Sequence, residues 1–172
     1  MRWFRRAARD DVDVLSFLEN LGRLDAVVAS GLIGAPASER LDDLTRIAAE
    51  RLHAPMAFMS VLDDRHSHYA SVHDRSGTSM ALMLPDEATA SYCQHVVASD
   101  DTMVVSDARS DDRTRRLPGA SEIRSYLGVP IRYQGRCLGA FCVVDVRERE
   151  WSTEDIIELQ ELAAAAMAEL PR

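Results

Sequence analysis

Lysine is absent: all 20 of the strongly basic side chains are arginine. That removes chemistry needing an ε-amine, namely Schiff bases, a phosphate-loop lysine and a lysine general base. Cysteine is scarce, with three in 172 residues. An odd, small number suits a reducing cytoplasm better than a disulfide framework. No apolar stretch approaches the ~20 residues of a membrane span. The opening "MRWFRRAARDDVD" also lacks the apolar run of a secretory signal. An excess of positive charge is missing too. The net charge of −8 argues against a nucleic-acid-binding body, because neutralising phosphates takes a basic face. The expectation is a cytoplasmic chain that binds no nucleic acid and has no membrane span.

What is present reads as a domain over 36–172, preceded by a helical element in 1–35. Arg2, Arg5, Arg6 and Arg9 stand with Trp3 and Phe4 in a tip without acids, suited to an anionic surface or simply frayed. From Asp11 to Ser30 the pattern is that of one helix. Val14, Phe17, Leu21, Leu24 and Val28 fall 3, 4, 3, 4 apart, the stripe of an a/d seam. Gly31, Gly34 and Pro36 end it. A second helix follows Ser38, its N-cap, and runs to Leu52. The period then becomes that of strands over Met56–Asp63 and His66–Val72, joined by a turn at Asp64 and Arg65. Glu87–Ser99 reads as a short helix and Thr102–Ser106 as a short strand. Residues 123–133 and 136–145 form a hairpin about Gln134-Gly135. The last helix starts at Ser152, three residues before Asp155 in a capping-box arrangement. Its stripe of Ile156, Leu159, Ala163, Ala166 and Leu170 repeats the 3, 4, 3, 4 spacing.

The run "RCLGAFCVVD" puts Cys137 and Cys142 five positions apart. On a regular strand they face opposite ways, ~16 Å apart, too far for a disulfide or a shared metal. With the turn at Gln134-Gly135, Cys142 is expected opposite Leu127, on the face of Ala140 and Leu138, and Cys137 opposite Arg132. Cys142 then reads as packing and Cys137 as a spare thiol near the turn.

The segments "LDDLTRIAAERLHAPMAFMSVLDDRHSHYASV", "SYCQHVV", "VVSDARSDDR", "IRSYLGVPIRYQGRCLGAFCVVD" and "WSTEDIIELQELAAAAM", in that order, resemble a GAF domain over about Arg40 to Leu170. The resemblance implies an α/β (α+β) sandwich with a GAF/PAS-like central antiparallel sheet. Terminal helices would cover one face, and short helices and loops would enclose a small-molecule pocket on the other. Such domains regulate kinases, phosphatases, cyclases and transcription factors. Their ligands range from cyclic nucleotides to tetrapyrroles, haem and small anions, or none, so the cofactor stays unknown. The resemblance brings Tyr92, Cys93 and His95 to the pocket from the short helix. Asp107, Arg113, Arg124 and Tyr126 would come from the following loop and strand.

The plainer roles stay open beside these. Asp107 also suits a loop cap, and Arg113 a solvated partner of Asp111 and Asp112. Where the family often carries aromatics after the turn arginine, this chain has Ser67 and His68. His66 and His68 share a strand face and suit a metal, but nothing at a recognisable spacing completes a ligand set, and no metal is assigned. His95 and His66 are also candidate haem ligands, against an ordinary hydrogen-bonded histidine.

The expected function is that of a cytoplasmic, non-catalytic small-molecule sensor in signal transduction. It would be a homodimer through terminal helices packed as a four-helix bundle, unless each stripe merely covers its own sheet. No output domain follows the last helix, so a separate signalling protein is the expected partner. Three alternatives stand beside it. One is a ligand-free dimerisation scaffold, its pocket plugged by Met59, Met80 and Met83. Another is a haem-binding redox or gas sensor. The third is an enzyme like the free methionine-R-sulfoxide reductases, because Cys93 stands where that subfamily keeps a cysteine. Against the enzyme, Tyr92 and Gln94 replace glycines and no cysteine lies near Met83 or Leu117. Cys93 and His95, two apart on a helix, also face away from one another.

Overall fold

The computed structural model describes residues 10–171; the arginine-rich tip lies outside the described residues. The hydrophobic runs pair as one antiparallel sheet of five strands. These are β1 (Met56–Leu62), β2 (Ser67–Asp74), β3 (Met103–Val105), β4 (Ser125–Tyr133) and β5 (Arg136–Asp145), in the order β2-β1-β5-β4-β3. Gln134 and Gly135 take φ of 50° and 72°, the left-handed pair that a two-residue hairpin requires. β1 is apolar at nearly every position because the sheet covers it at both edges and helices or loops cover both faces.

Three helices pack on the first face: α2 (Leu21–Ser30), α3 (Glu39–Arg51) and α5 (Thr153–Met167). Ser38 caps α3 through the Leu41 N–H, and Ser152 with Asp155 closes a full capping box on α5. Leu159, Ala163 and Ala166 of α5 are buried against Leu127, Val129, Phe141 and Val143. The arginine at 149 fastens the C-terminal end of α3, donating to the carbonyls of Leu52 and His53 while its guanidinium lies 4.0 Å over the Trp151 ring. On the second face lie α1 (Asp10–Leu18), α4 (Cys93–Ser99) and 3-10 turns at Met80–Met83, Ala88–Ala90 and Pro118–Ser121.

Two expectations from local pattern fail here. The N-terminal stripe is not one helix. It breaks at Glu19–Asn20, where Asn20 becomes the N-cap of α2. Arg23, buried at 5% exposure, holds the break: its guanidinium donates to the carbonyls of Phe17 (3.1 Å), Leu18 (2.7 Å) and Leu62 (2.7 Å). The chain thereby crosses from one face to the other. Val14 and Leu18 pack against the second face, and Ala26 and Val27 against the first. Leu21 and Val28 are left 77% and 79% exposed. Glu87–Ser99 likewise begins as a 3-10 turn, and α-helix starts only at Cys93.

A second local irregularity re-aims side chains. β5 carries a bulge: Ile131 pairs with Gly139 but Arg132 with Cys137, so Leu138 is the extra residue. The bulge flips the alternation. Cys137 and Cys142 therefore face the same side, contrary to the simple count, and Cys142 sits opposite Gly128 instead of Leu127. Leu138 turns to the first face. Gly139 is required there, since a Cβ would lie 2.0 Å from the Ser60 carbonyl oxygen. A similar shift in β2 leaves Ala70 between the pairs Met59–Ser71 and Ser60–Tyr69.

Candidate functional site

On the second face the pocket-side residues of β5 are small: Ala140, Cys142 and Val144. Aromatic rings fill the space they leave. Phe58 of β1 meets Tyr69 of β2 edge-on at 5.7 Å between centroids, and Tyr92 meets Tyr126 of β4 in the same way at 5.5 Å. The phenols bind main chain: Tyr69 donates to the Pro85 carbonyl (2.7 Å) and Tyr92 to that of Ile123 (3.0 Å). Burial pushes both phenols above the ordinary tyrosine range.

Under these rings, with Met83–Pro85 and Ala90–Ser91 as its outer wall, lies a cavity of about 20 Å³. That is room for one water-sized molecule. Its lining holds no charged side chain and no histidine. The segment forming the wall is tied down at its centre. Ser67 N–H donates to Asp86 O, Ala88 N–H to Arg65 O, and His66 bridges Glu87. Met80, fully buried, packs beside this wall, whereas Met83 is 43% exposed on the rim. Met59, expected as a plug, points to the opposite face.

Behind the cavity is a group the spacing argument misses. Cys93, at the start of α4, and Cys142, on β5, bring their Sγ atoms to 3.5 Å, both fully buried. The Tyr126 hydroxyl reaches both, at 3.3 Å and 3.1 Å. Gly128 makes this possible. Tyr126 and Gly128 lie on one face of β4, and the ring folds flat over the glycine; a Cβ there would fall 2.1 Å from the phenol oxygen. Because Gly128 is the cross-strand partner of Cys142, the phenol arrives at that thiol. Burial opposes ionising Cys93, but hydrogen bonds with Cys142, Ser60, Ser91 and Tyr126 outweigh it and bring its pKa to about 6. Cys142 is pushed up by burial and by its bond and charge coupling to Cys93. Cys137, away from the pair, is raised to about 12 by burial, and its Sγ contacts the Gly139 carbonyl.

The sequence-derived candidates divide. Tyr92, Cys93 and Tyr126 line the cavity; His95, Asp107, Arg113 and Arg124 do not. The His95 Nε2 is 2.9 Å from the Arg113 carbonyl oxygen. Arg113 donates to Asp111 and to the Val104 carbonyl, and Arg124 joins Asp107 (2.8 Å) and Glu148 (2.7 Å). These four sit in loop-fastening ion pairs and hydrogen bonds. Tyr69, Phe58, Ile123 and the wall residues Leu84, Pro85, Ala90 and Ser91, which also line the cavity, were not foreseen, whereas Met83 was expected there as a plug. Tyr69 carried a signal, being the one aromatic of its strand. On the β1–β2 turn, Asp63 joins His66 and His68, with ligand atoms within 4.8 Å of one another. Hydrogen bonds account for this group: Asp63 accepts from the Arg65 and His66 N–H groups and meets His68 Nε2 at 2.7 Å.

A family model for the GAF domain matches residues 36–170. Among curated proteins there is no match. Several solved structures share the fold at low identity. The GAF domain of a phosphoenolpyruvate-protein phosphotransferase from Coxiella burnetii is 18% identical, with a TM-score of 0.62 over 94% of this chain and 94% of that one. The type II free methionine-R-sulfoxide reductase from Thermoplasma acidophilum is 17% identical, with a TM-score of 0.59 over 75% of this chain and 88% of that one. The blue-light absorbing form of the Thermosynechococcus elongatus PixJ GAF domain is 15% identical, with a TM-score of 0.59 over 75% and 81%. Among the described residues no helix is long and apolar enough to cross a membrane.

Proposed function

The chain belongs to the GAF-domain family, a family of mainly sensory and regulatory domains, and on that premise we propose that it is a cytoplasmic, non-catalytic small-molecule sensor acting on a separate signalling protein. The observation that carries this reading is the cavity of the second face, walled by three tyrosines and a thiol beneath the 83–91 segment. Its uncharged lining favours a neutral, ring-bearing ligand over a cyclic nucleotide or small anion, which would call for an arginine inside. A ligand larger than water needs the rim at Met83–Pro85 to move outward, breaking the Tyr69–Pro85 hydrogen bond, while the backbone bonds of Asp86 and Ala88 hold the centre of the segment. Binding one arrangement better than the other is what turns occupancy into a signal. Tyr92, Cys93 and Tyr126 would contact the ligand. His95, Asp107, Arg113 and Arg124 would act through the loops that they hold.

The output in this reading is a homodimer. The N-terminal stripe leaves Phe17, Leu21 and Val28 exposed, while α5 spends its stripe on its own sheet. A second copy seated on α2 would cover that apolar surface. Native mass spectrometry with an absorption spectrum of the protein as purified tests the sensor. A retained small mass per chain supports it, and a Soret band would replace the proposed ligand by haem.

The small cavity and the buried Met80 favour a second reading, a dimerisation scaffold with a filled pocket. A bare dimer that no compound in a thermal-shift screen stabilises would establish that reading in place of the sensor.

A further inference from the structure

Cys93 has a part in ligand binding as described and Cys142 has none, so the surroundings of the facing pair of thiols are asymmetric. Cys93 lines the cavity; Cys142 does not and stands directly behind it, Sγ to Sγ at 3.5 Å. Tyr126 spans both sulfurs. We infer that Cys93 and Cys142 form an oxidation site at which hydrogen peroxide, admitted to the cavity, converts the two thiols into an intrachain disulfide.

Volume selects the oxidant class. About 20 Å³ of room takes a molecule near the size of water; a bulky organic hydroperoxide or sulfoxide is excluded while the wall is closed. Geometry assigns the roles. The Cys93 thiolate attacks one peroxide oxygen, an S–O bond forms as the O–O bond breaks, and the departing hydroxide takes a proton to become water. Cys142 then attacks the sulfenic sulfur of Cys93. The S–S bond forms, the S–O bond breaks, and the leaving oxygen departs as a second water with the Cys142 proton. Two electrons pass from the thiols to the peroxide, and the sum is two thiols and one peroxide to one disulfide and two waters. The sulfurs need to close from 3.5 Å to about 2.05 Å. The Tyr126 hydroxyl donates to Cys93 and thereby stabilises the thiolate that attacks. The low pKa of Cys93 beside the raised one of Cys142 agrees with this division of labour. Cys137, 5% exposed and bonded to main-chain carbonyls, takes no part.

The inference does not depend on an organic ligand, a partner or an opened pocket, so its failure and that of the sensor reading are separable. Trypsin cuts after Arg75, Arg109, Arg136 and Arg147, which puts Cys93 in the peptide 76–109 and both other cysteines in 137–147. Intact, reduced protein is treated with one equivalent of hydrogen peroxide, alkylated in denaturant and digested. The expected result is loss of two hydrogens in mass, two thiols unavailable to alkylation, and a joined pair of peptides that persists in Cys137→Ser and disappears in Cys142→Ala. A Tyr126→Phe variant should form the disulfide about tenfold more slowly, the rate equivalent of one hydrogen bond to a thiolate. Oxygen added at Cys93 without the joined peptides, a linkage through Cys137, or native thiols inert to peroxide would each overturn the inference.

Discussion

The two faces of the sheet share five strands and differ in what those strands bury. Toward α2, α3 and α5, β5 presents Leu138, Phe141 and Val143, and the space is filled with apolar side chains, mostly aliphatic. Toward α4 it presents Cys137, Ala140, Cys142 and Val144, and tyrosine rings reach in from β2, β4 and the start of α4. The bulge at Leu138 sets this division, because without it one of the thiols would face the helices. One face is thus an apolar core without thiols, whereas the other combines small residues, phenols and thiols around a small cavity. Chemistry gathers where the strand gives up volume.

The largest effect that sharpens the contrast comes from the first face. Phe141→Ala removes a fully buried ring and should cost about 3–5 kcal/mol in denaturant titration, while leaving the reactivity of Cys93 in folded protein unchanged. Gly128→Ala acts on the other face, where the new Cβ collides with the Tyr126 phenol. The expected cost is about 1–3 kcal/mol, together with slower peroxide oxidation, because the phenol leaves the sulfurs. An unchanged oxidation rate would separate Tyr126 from the thiols. Acidification probes the loops that fasten the second face. Hydrogen bonding to Arg124 holds the Asp107 carboxyl below its usual range, and Arg113 does the same for Asp111. Folded carboxyls with depressed pKa bind fewer protons than unfolded ones, so their stabilisation is intact above about pH 4 and is lost as pH falls further. Thermal denaturation followed from neutral to acid pH checks the sign, and Arg124→Gln should flatten the slope. The smallest change in stability belongs to the exposed stripe. Leu21→Glu with Val28→Glu, both exposed, should alter folding free energy by no more than about 0.5 kcal/mol yet halve the mass measured by light scattering. An unchanged dimer would remove α2 from the interface.

Local pattern was enough for much of this. Ser38 and Ser152 announce their helices, Gln134-Gly135 announces its hairpin, and the order of five segments carries the family. What the pattern does not carry is non-local. The break at Glu19–Asn20 depends on Arg23 finding carbonyls as far away as Leu62, which no periodicity reveals. The meeting of Cys93 with Cys142 depends on a bulge that one extra residue creates, and a count of five assumes its absence. The resemblance assigns Tyr92, Cys93 and Tyr126 to a pocket, and the three line the cavity of the second face. The wall over them was not legible, since residues 83–86 carry no period and 87–91, which read as the start of a helix, form a 3-10 turn.

The claim on which the sensor reading rests is that the cavity of the second face is where a small molecule is held. Native mass spectrometry of the wild type beside Ala90→Val, whose added methyl groups take up that small cavity, tests it most directly. The account predicts a small mass retained by each wild-type chain and none by Ala90→Val, with both proteins folded by circular dichroism; equal retention by the two, or a bare wild-type chain, would contradict it.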